Sequence, residues 1–72
     1  MKTPDEIRAL RSGKGFFAQM DMVKAMNAEG IPISRQSYSN KENGKSPFSA
    51  KDVVAMAKIL GITLEEAVSF FV

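Results

Sequence analysis

Apolar positions along the chain recur at intervals of three and four, are punctuated by glycine, and nowhere settle into the alternation of a strand, which predicts helices throughout. Thr3, Pro4 and Glu6 open the first, from Thr3 to about Ser12: a capping hydroxyl, a proline at the first helical position and the carboxylate of a capping box. Ile7 and Leu10 are its apolar stripe, and Gly13 and Gly15 end it. Phe16, Met20 and Val23, spaced by four and three, predict the buried face of a second helix over about residues 17–28, broken by Gly30 and Pro32. Ser34 caps a third helix over about 34–43, with Gly44 free to take the left-handed conformation that closes it. Ser49 and Asp52 start a fourth, carrying Val53, Met56, Ala57 and Leu60 up to Gly61. Thr63 and Glu66 start a fifth, with Leu64, Ala67, Val68 and Phe71. The expectation is an all-α, compact five-helix bundle in one domain spanning residues 1–72.

The third helix has too little apolar surface to exist for the core alone. At about 100° per residue, Arg35, Gln36, Ser39 and Asn40 share one side, and Ser37, Tyr38 and Lys41 the other. Tyr38 can anchor the inner side, leaving the outer side almost wholly hydrogen-bonding. A well-striped helix, a break containing glycine and a short polar helix beginning with serine is the order of a helix-turn-helix, whose second helix enters the major groove. Arginine there can bond guanine, glutamine or asparagine can pair with adenine, and serine can reach a base or a phosphate.

Charge sharpens that reading only through its distribution. The net charge is +2, but residues 34–51 carry Arg35, Lys41, Lys45 and Lys51 against Glu42 alone, a net +3, whereas residues 52–72 are net −2. A basic centre suits an anionic partner, although a solvated face has the same composition. Lys45 and Lys51, beyond the end of the third helix, are placed to meet phosphates. The apolar and charged shares, 44% and 25%, are those of a folded chain. With no cysteine and no histidine, disulfides and the usual zinc ligand sets are excluded, and no metal or other cofactor is expected. The carboxylates are scattered and no serine has a base in its own segment, so an enzyme acting on a small molecule is not expected. No apolar stretch is long enough to span a bilayer, and the N-terminal acidic residues do not suit a signal peptide, so a cytoplasmic setting is expected.

From "SRQSYSNKENGKSPFSAKDVVAMAKILGITLEEA" the chain resembles the XRE family, the phage repressor and Cro type of helix-turn-helix protein with its lambda-repressor-like fold. Members of that family commonly read serine-arginine-glutamine-threonine, an apolar residue, serine, then glutamate-asparagine-glycine-lysine and a proline. "IRALRSGKGF" is similar to the family's first helix and following turn. The resemblance implies that Arg35, Gln36, Ser39 and Asn40 read bases, with Ser34 alongside them, and that Gln19 contacts the phosphate backbone or braces Gln36. Three features depart from the pattern. Gln19 stands one position late; "NAEGIPI" is a long turn; and Lys41 occupies a usually apolar position, where an ammonium must snorkel or pair.

Two partners follow. One is double-stranded DNA, bound as a homodimer because one short helix reads only a few base pairs. The other is a CI-type repressor protein of a phage in its bacterial host cell. The chain also resembles the short modulator-of-repression proteins of lactococcal temperate phages, which implies an antirepressor that masks or remodels a repressor's DNA-binding surface. Met20 and Met56 fall on apolar stripes and are expected in the core. Met22, off the stripe, is a candidate partner contact, as are Val68, Val72 and whichever of Phe70 and Phe71 points outward.

Overall fold

Four of the five helices begin on the hydroxyl residues that the pattern picks out. The computed structural model describes all 72 residues, Met1–Val72, as α1 (Pro4–Gly13), α2 (Gln19–Ala28), α3 (Arg35–Glu42), α4 (Ala50–Leu60) and α5 (Leu64–Phe71), with no strand. Thr3, Ser34, Ser49 and Thr63 each accept, on the side-chain oxygen, the amide three residues on. In α1, α4 and α5 the carboxylates of Glu6, Asp52 and Glu66 return the bond to the cap amide. α2 begins on Ala18, which has no capping oxygen, and only the Asp21 carboxylate supports that start, accepting the Ala18 amide at 2.9 Å. Gly44 and Gly61, at φ of 80° and 67°, close α3 and α4 in the left-handed region.

One hydrophobic cluster draws on all five helices: Ile7 from α1; Met22, Val23 and Met26 from α2; Tyr38 from α3; Val53, Met56, Ala57 and Leu60 from α4; Ala67 and Phe71 from α5. Phe48, between α3 and α4, links Tyr38 to Phe71, with ring centroids 6.3 and 5.1 Å away. Methionine suits such a small core because its flexible side chain fills irregular gaps.

The register of α2 differs from the expected one. Helical bonding starts at Gln19, and of the expected stripe only Val23 is buried, alongside Met22 and Met26 in place of Phe16 and Met20. Met22 is fully buried and therefore no partner contact, while Met20 is 38% exposed. At about 100° per residue Met20 lies roughly a third of a turn from the centre of the true stripe. In α5, Phe71 packs into the core and is likewise no partner contact, whereas Phe70 is half-buried under Lys2, whose amide donates to the Phe70 carbonyl at 2.9 Å. Val68 and Val72 are exposed, as expected.

The long turn between α2 and α3 is pinned at both ends. Asn27 accepts the Ile33 amide on its side-chain oxygen at 3.1 Å, the Ile31 amide reaches the Met26 carbonyl at 2.9 Å, and Ile33 is buried. Lys41 pairs rather than snorkels: its ammonium donates to the buried carboxylate of Asp52 in the first turn of α4. The length of the turn and the misplaced lysine, the two departures that threaten the seating of α3, are thus each met by a specific polar contact.

Candidate nucleic-acid interface

The candidate interface is α3, and its inner side is built first. Tyr38 and Glu42, one turn apart, are both fully buried. The Glu42 carboxylate accepts from Arg11 Nε at 2.8 Å, from the Tyr38 hydroxyl at 2.9 Å and from Gln19 Nε2 at 2.9 Å. Arg11 Nη1 then donates to the Phe16 and Phe17 carbonyls at 2.7 and 2.8 Å. One buried carboxylate therefore ties α1, the start of α2 and α3 together. Every buried side-chain nitrogen and oxygen in the protein has a partner, which is what makes burying these charges tolerable. Burial drives the Tyr38 hydroxyl well above its ordinary range, and the neighbouring Glu42 carboxylate adds to the rise, so Tyr38 stays a hydrogen-bond donor at any physiological pH.

The outer side carries the residues the pattern singles out. Ser34, Arg35 and Gln36 are exposed, and Ser39 and Asn40 are half-exposed on the same flank. Gln36 Nε2 donates to Asn40 Oδ1 at 3.1 Å, which leaves Gln36 Oε1 as an acceptor beside Asn40 Nδ2 as a donor. That pairing matches the N6 donor and N7 acceptor of an adenine edge. Asn43 Nδ2 donates to Ser39 Oγ at 3.2 Å and steadies the last turn. Arg35 forms no ion pair in the protein. Exposed Lys45 follows α3 directly, and exposed Lys51 stands in the first turn of α4.

Gln19 does not brace Gln36: its amide nitrogen is bonded to Glu42 on the inner side. Sequence reasoning missed Arg11 and Glu42, although each stands four residues beyond a buried apolar or aromatic neighbour, Ile7 and Tyr38, and so shares that neighbour's inward face. No three histidine, cysteine, aspartate or glutamate side chains are grouped to hold a metal ion, and no helix is long and apolar enough to cross a membrane.

A helix-turn-helix family model matches residues 26–66, more than half of the chain, from the last turn of α2 through α3 and α4 into α5. Among curated proteins and among solved structures nothing matches. With α2 bracing α3, a polar outer side on α3 and a family match that takes in the whole of α3, the chain belongs to the helix-turn-helix family of the XRE type, whose members are DNA-binding regulators.

Proposed function

We propose that this regulator acts in a phage-type genetic switch, reading duplex DNA through α3, alone or together with a repressor. Arg35 and the Gln36–Asn40 carboxamide pair contact base edges, Ser34 and Ser39 contact bases or phosphates, and Lys45 and Lys51 neutralise phosphates. The observation that carries this reading is the division of α3. A fully satisfied buried network fixes its inner side, and on its outer side the Arg35 guanidinium, Gln36 Oε1 and Asn40 Nδ2 have no partner within the chain.

A second reading, an antirepressor that docks on a CI-type repressor, is favoured by one observation. Phe17, just ahead of α2, and Met20, in its first turn, flank Gln19 and are 75% and 38% exposed. Large apolar side chains there suit a protein surface better than a phosphate backbone.

Fluorescence anisotropy on duplex DNA over a salt series, with and without a phage repressor, tests both. Binding by the protein alone, with a log–log salt slope of about −2 per bound chain for its two phosphate-neutralising lysines, is expected from the first reading. Absence of binding alone, combined with loss of the repressor's own DNA affinity, would replace it with the second.

A further inference from the structure

Of the asparagines at positions 27, 40 and 43, only Asn43 is followed by glycine. A backbone amide nitrogen can attack the side-chain carbonyl of an asparagine that precedes it, and glycine alone has no Cβ to shield that nitrogen. Asn43 and Gly44 are both exposed where α3 ends. Beyond the chain neighbours, nothing lies within 4 Å of where a Cβ on Gly44 would stand. Asn27 and Asn40 instead precede Ala28 and Lys41, and their side chains are engaged, by the Ile33 amide and by Gln36.

The fold holds the Asn43–Gly44 pair out of reaction. Ring closure needs the Gly44 nitrogen on the side of the Asn43 Cα that bears Cβ. At the observed ψ of 3° that nitrogen eclipses the Asn43 nitrogen instead, roughly a third of a turn away. The Gly44 amide is also committed to the Lys41 carbonyl at 3.1 Å, and Asn43 Nδ2 to Ser39 Oγ at 3.2 Å. Reaction therefore requires the last turn of α3 to open first, and helix ends are where opening costs least. We propose that Asn43 is a deamidation site gated by the last turn of α3. In the open turn the Gly44 nitrogen gives its proton to solvent hydroxide and bonds to Asn43 Cγ. The Cγ–Nδ2 bond then breaks, and ammonia leaves with a proton taken from water, which restores the hydroxide. Water next opens the cyclic imide at either carbonyl, giving aspartate or isoaspartate.

Either product sets a carboxylate at the negative end of the α3 dipole and close in sequence to Lys45. Isoaspartate also adds a methylene to the backbone ahead of Gly44. Modified chains therefore bind DNA more weakly. That consequence rests on the reading of α3 as the DNA-contacting helix, whereas the covalent change does not.

The full chain is incubated at neutral pH, folded and in parallel unfolded in guanidinium chloride, and each asparagine is followed over weeks by peptide mass spectrometry. Conversion is expected at Asn43 ahead of Asn27 and Asn40, mainly to isoaspartate, and at least about tenfold slower in the folded chain. Asn43→Gln, whose carbonyl stands one methylene further from the backbone, is expected to stay intact in both states. Aged wild type is expected to bind duplex DNA at least about threefold more weakly than fresh protein, while Asn43→Gln of the same age keeps its affinity. Equal rates in the two states would overturn the gate. A folded chain still unmodified at Asn43 when the unfolded one has converted, or conversion spread evenly over the three asparagines, would overturn the site. Unchanged DNA affinity in a chain already modified at Asn43 would uphold the site and count against α3 as the helix that meets DNA.

Discussion

Glu42 accepts three hydrogen bonds on two oxygens while fully shielded from water, so its neighbours depend on it more than its own net contribution suggests. Removing one member of a buried charged pair leaves the other unsolvated, and Glu42→Ala is expected to destabilise the protein by about 3–5 kcal/mol, measured by urea denaturation. Tyr38→Phe removes a single bond to an ionised acceptor and is expected to cost about 1.5–3 kcal/mol. The Lys41–Asp52 pair gives a contrasting case. Lys41→Ile places an apolar group where the family pattern wants one, yet it is expected to lower the melting temperature because it takes away the ammonium from a buried carboxylate. In an Asp52→Asn background the same substitution should cost less, and equal costs in both backgrounds would mean that the pair is uncoupled. Burial pushes the Asp52 carboxyl up, but hydrogen bonds from Lys41 and from the Ser49 amide, with the lysine's charge, outweigh it and hold the group below its ordinary value. The folded chain thus binds fewer protons than the unfolded chain in acid. Asp52 contributes its full stabilisation above about pH 4 and loses it as the pH falls through the depressed native value. The Thr63 amide lowers Glu66 in the same direction. The urea midpoint of wild type is therefore expected to fall more between neutral and acid pH than that of Asp52→Asn, and parallel curves would assign the acid sensitivity elsewhere.

At the scale of the elements, α3 is where function concentrates. If its outer side reads bases, Arg35→Ala, Gln36→Ala and Asn40→Ala are each expected to relax preference at particular operator positions, by about 1–3 kcal/mol for a good bidentate contact. A uniform loss on all sequences would reassign these residues to phosphates. Gln36→Ala should also weaken the adenine preference of Asn40, because Asn40 then loses the partner that orients its carboxamide. The helix starts on Thr3, Ser34, Ser49 and Thr63 are legible in the sequence because capping is settled within four residues. The polar side of α3 is legible for the same local reason. The phase of α2 is not, because it is set from outside. Arg11, from α1, holds the carbonyls of Phe16 and Phe17 just ahead of Gln19, where the helix begins. Nor does any local pattern show that Arg11 will meet Glu42, 31 residues away, or that Lys41 will find Asp52 across a turn. Pairs of this kind are properties of the packed bundle.

For the molecule as a whole, a short polar helix that would fray alone is bound into the core by charge as well as by a tyrosine. Amide hydrogen exchange in α3 is accordingly expected to be protected to nearly the same free energy as in α4, through global opening, and to drop to local fraying in Glu42→Ala. Early exchange of α3 in the wild-type chain would show that the network does not couple it. The same network has a meaning for descent. The family match begins at residue 26, so Arg11 lies outside the matched residues while its partner Glu42 lies inside them. Neither residue can drift singly without passing through a chain that carries a lone buried charge. Among natural variants of this chain the two positions are thus expected to change together, both polar or both apolar, and the recognition segment is not free to be exchanged between scaffolds unless its arginine travels with it.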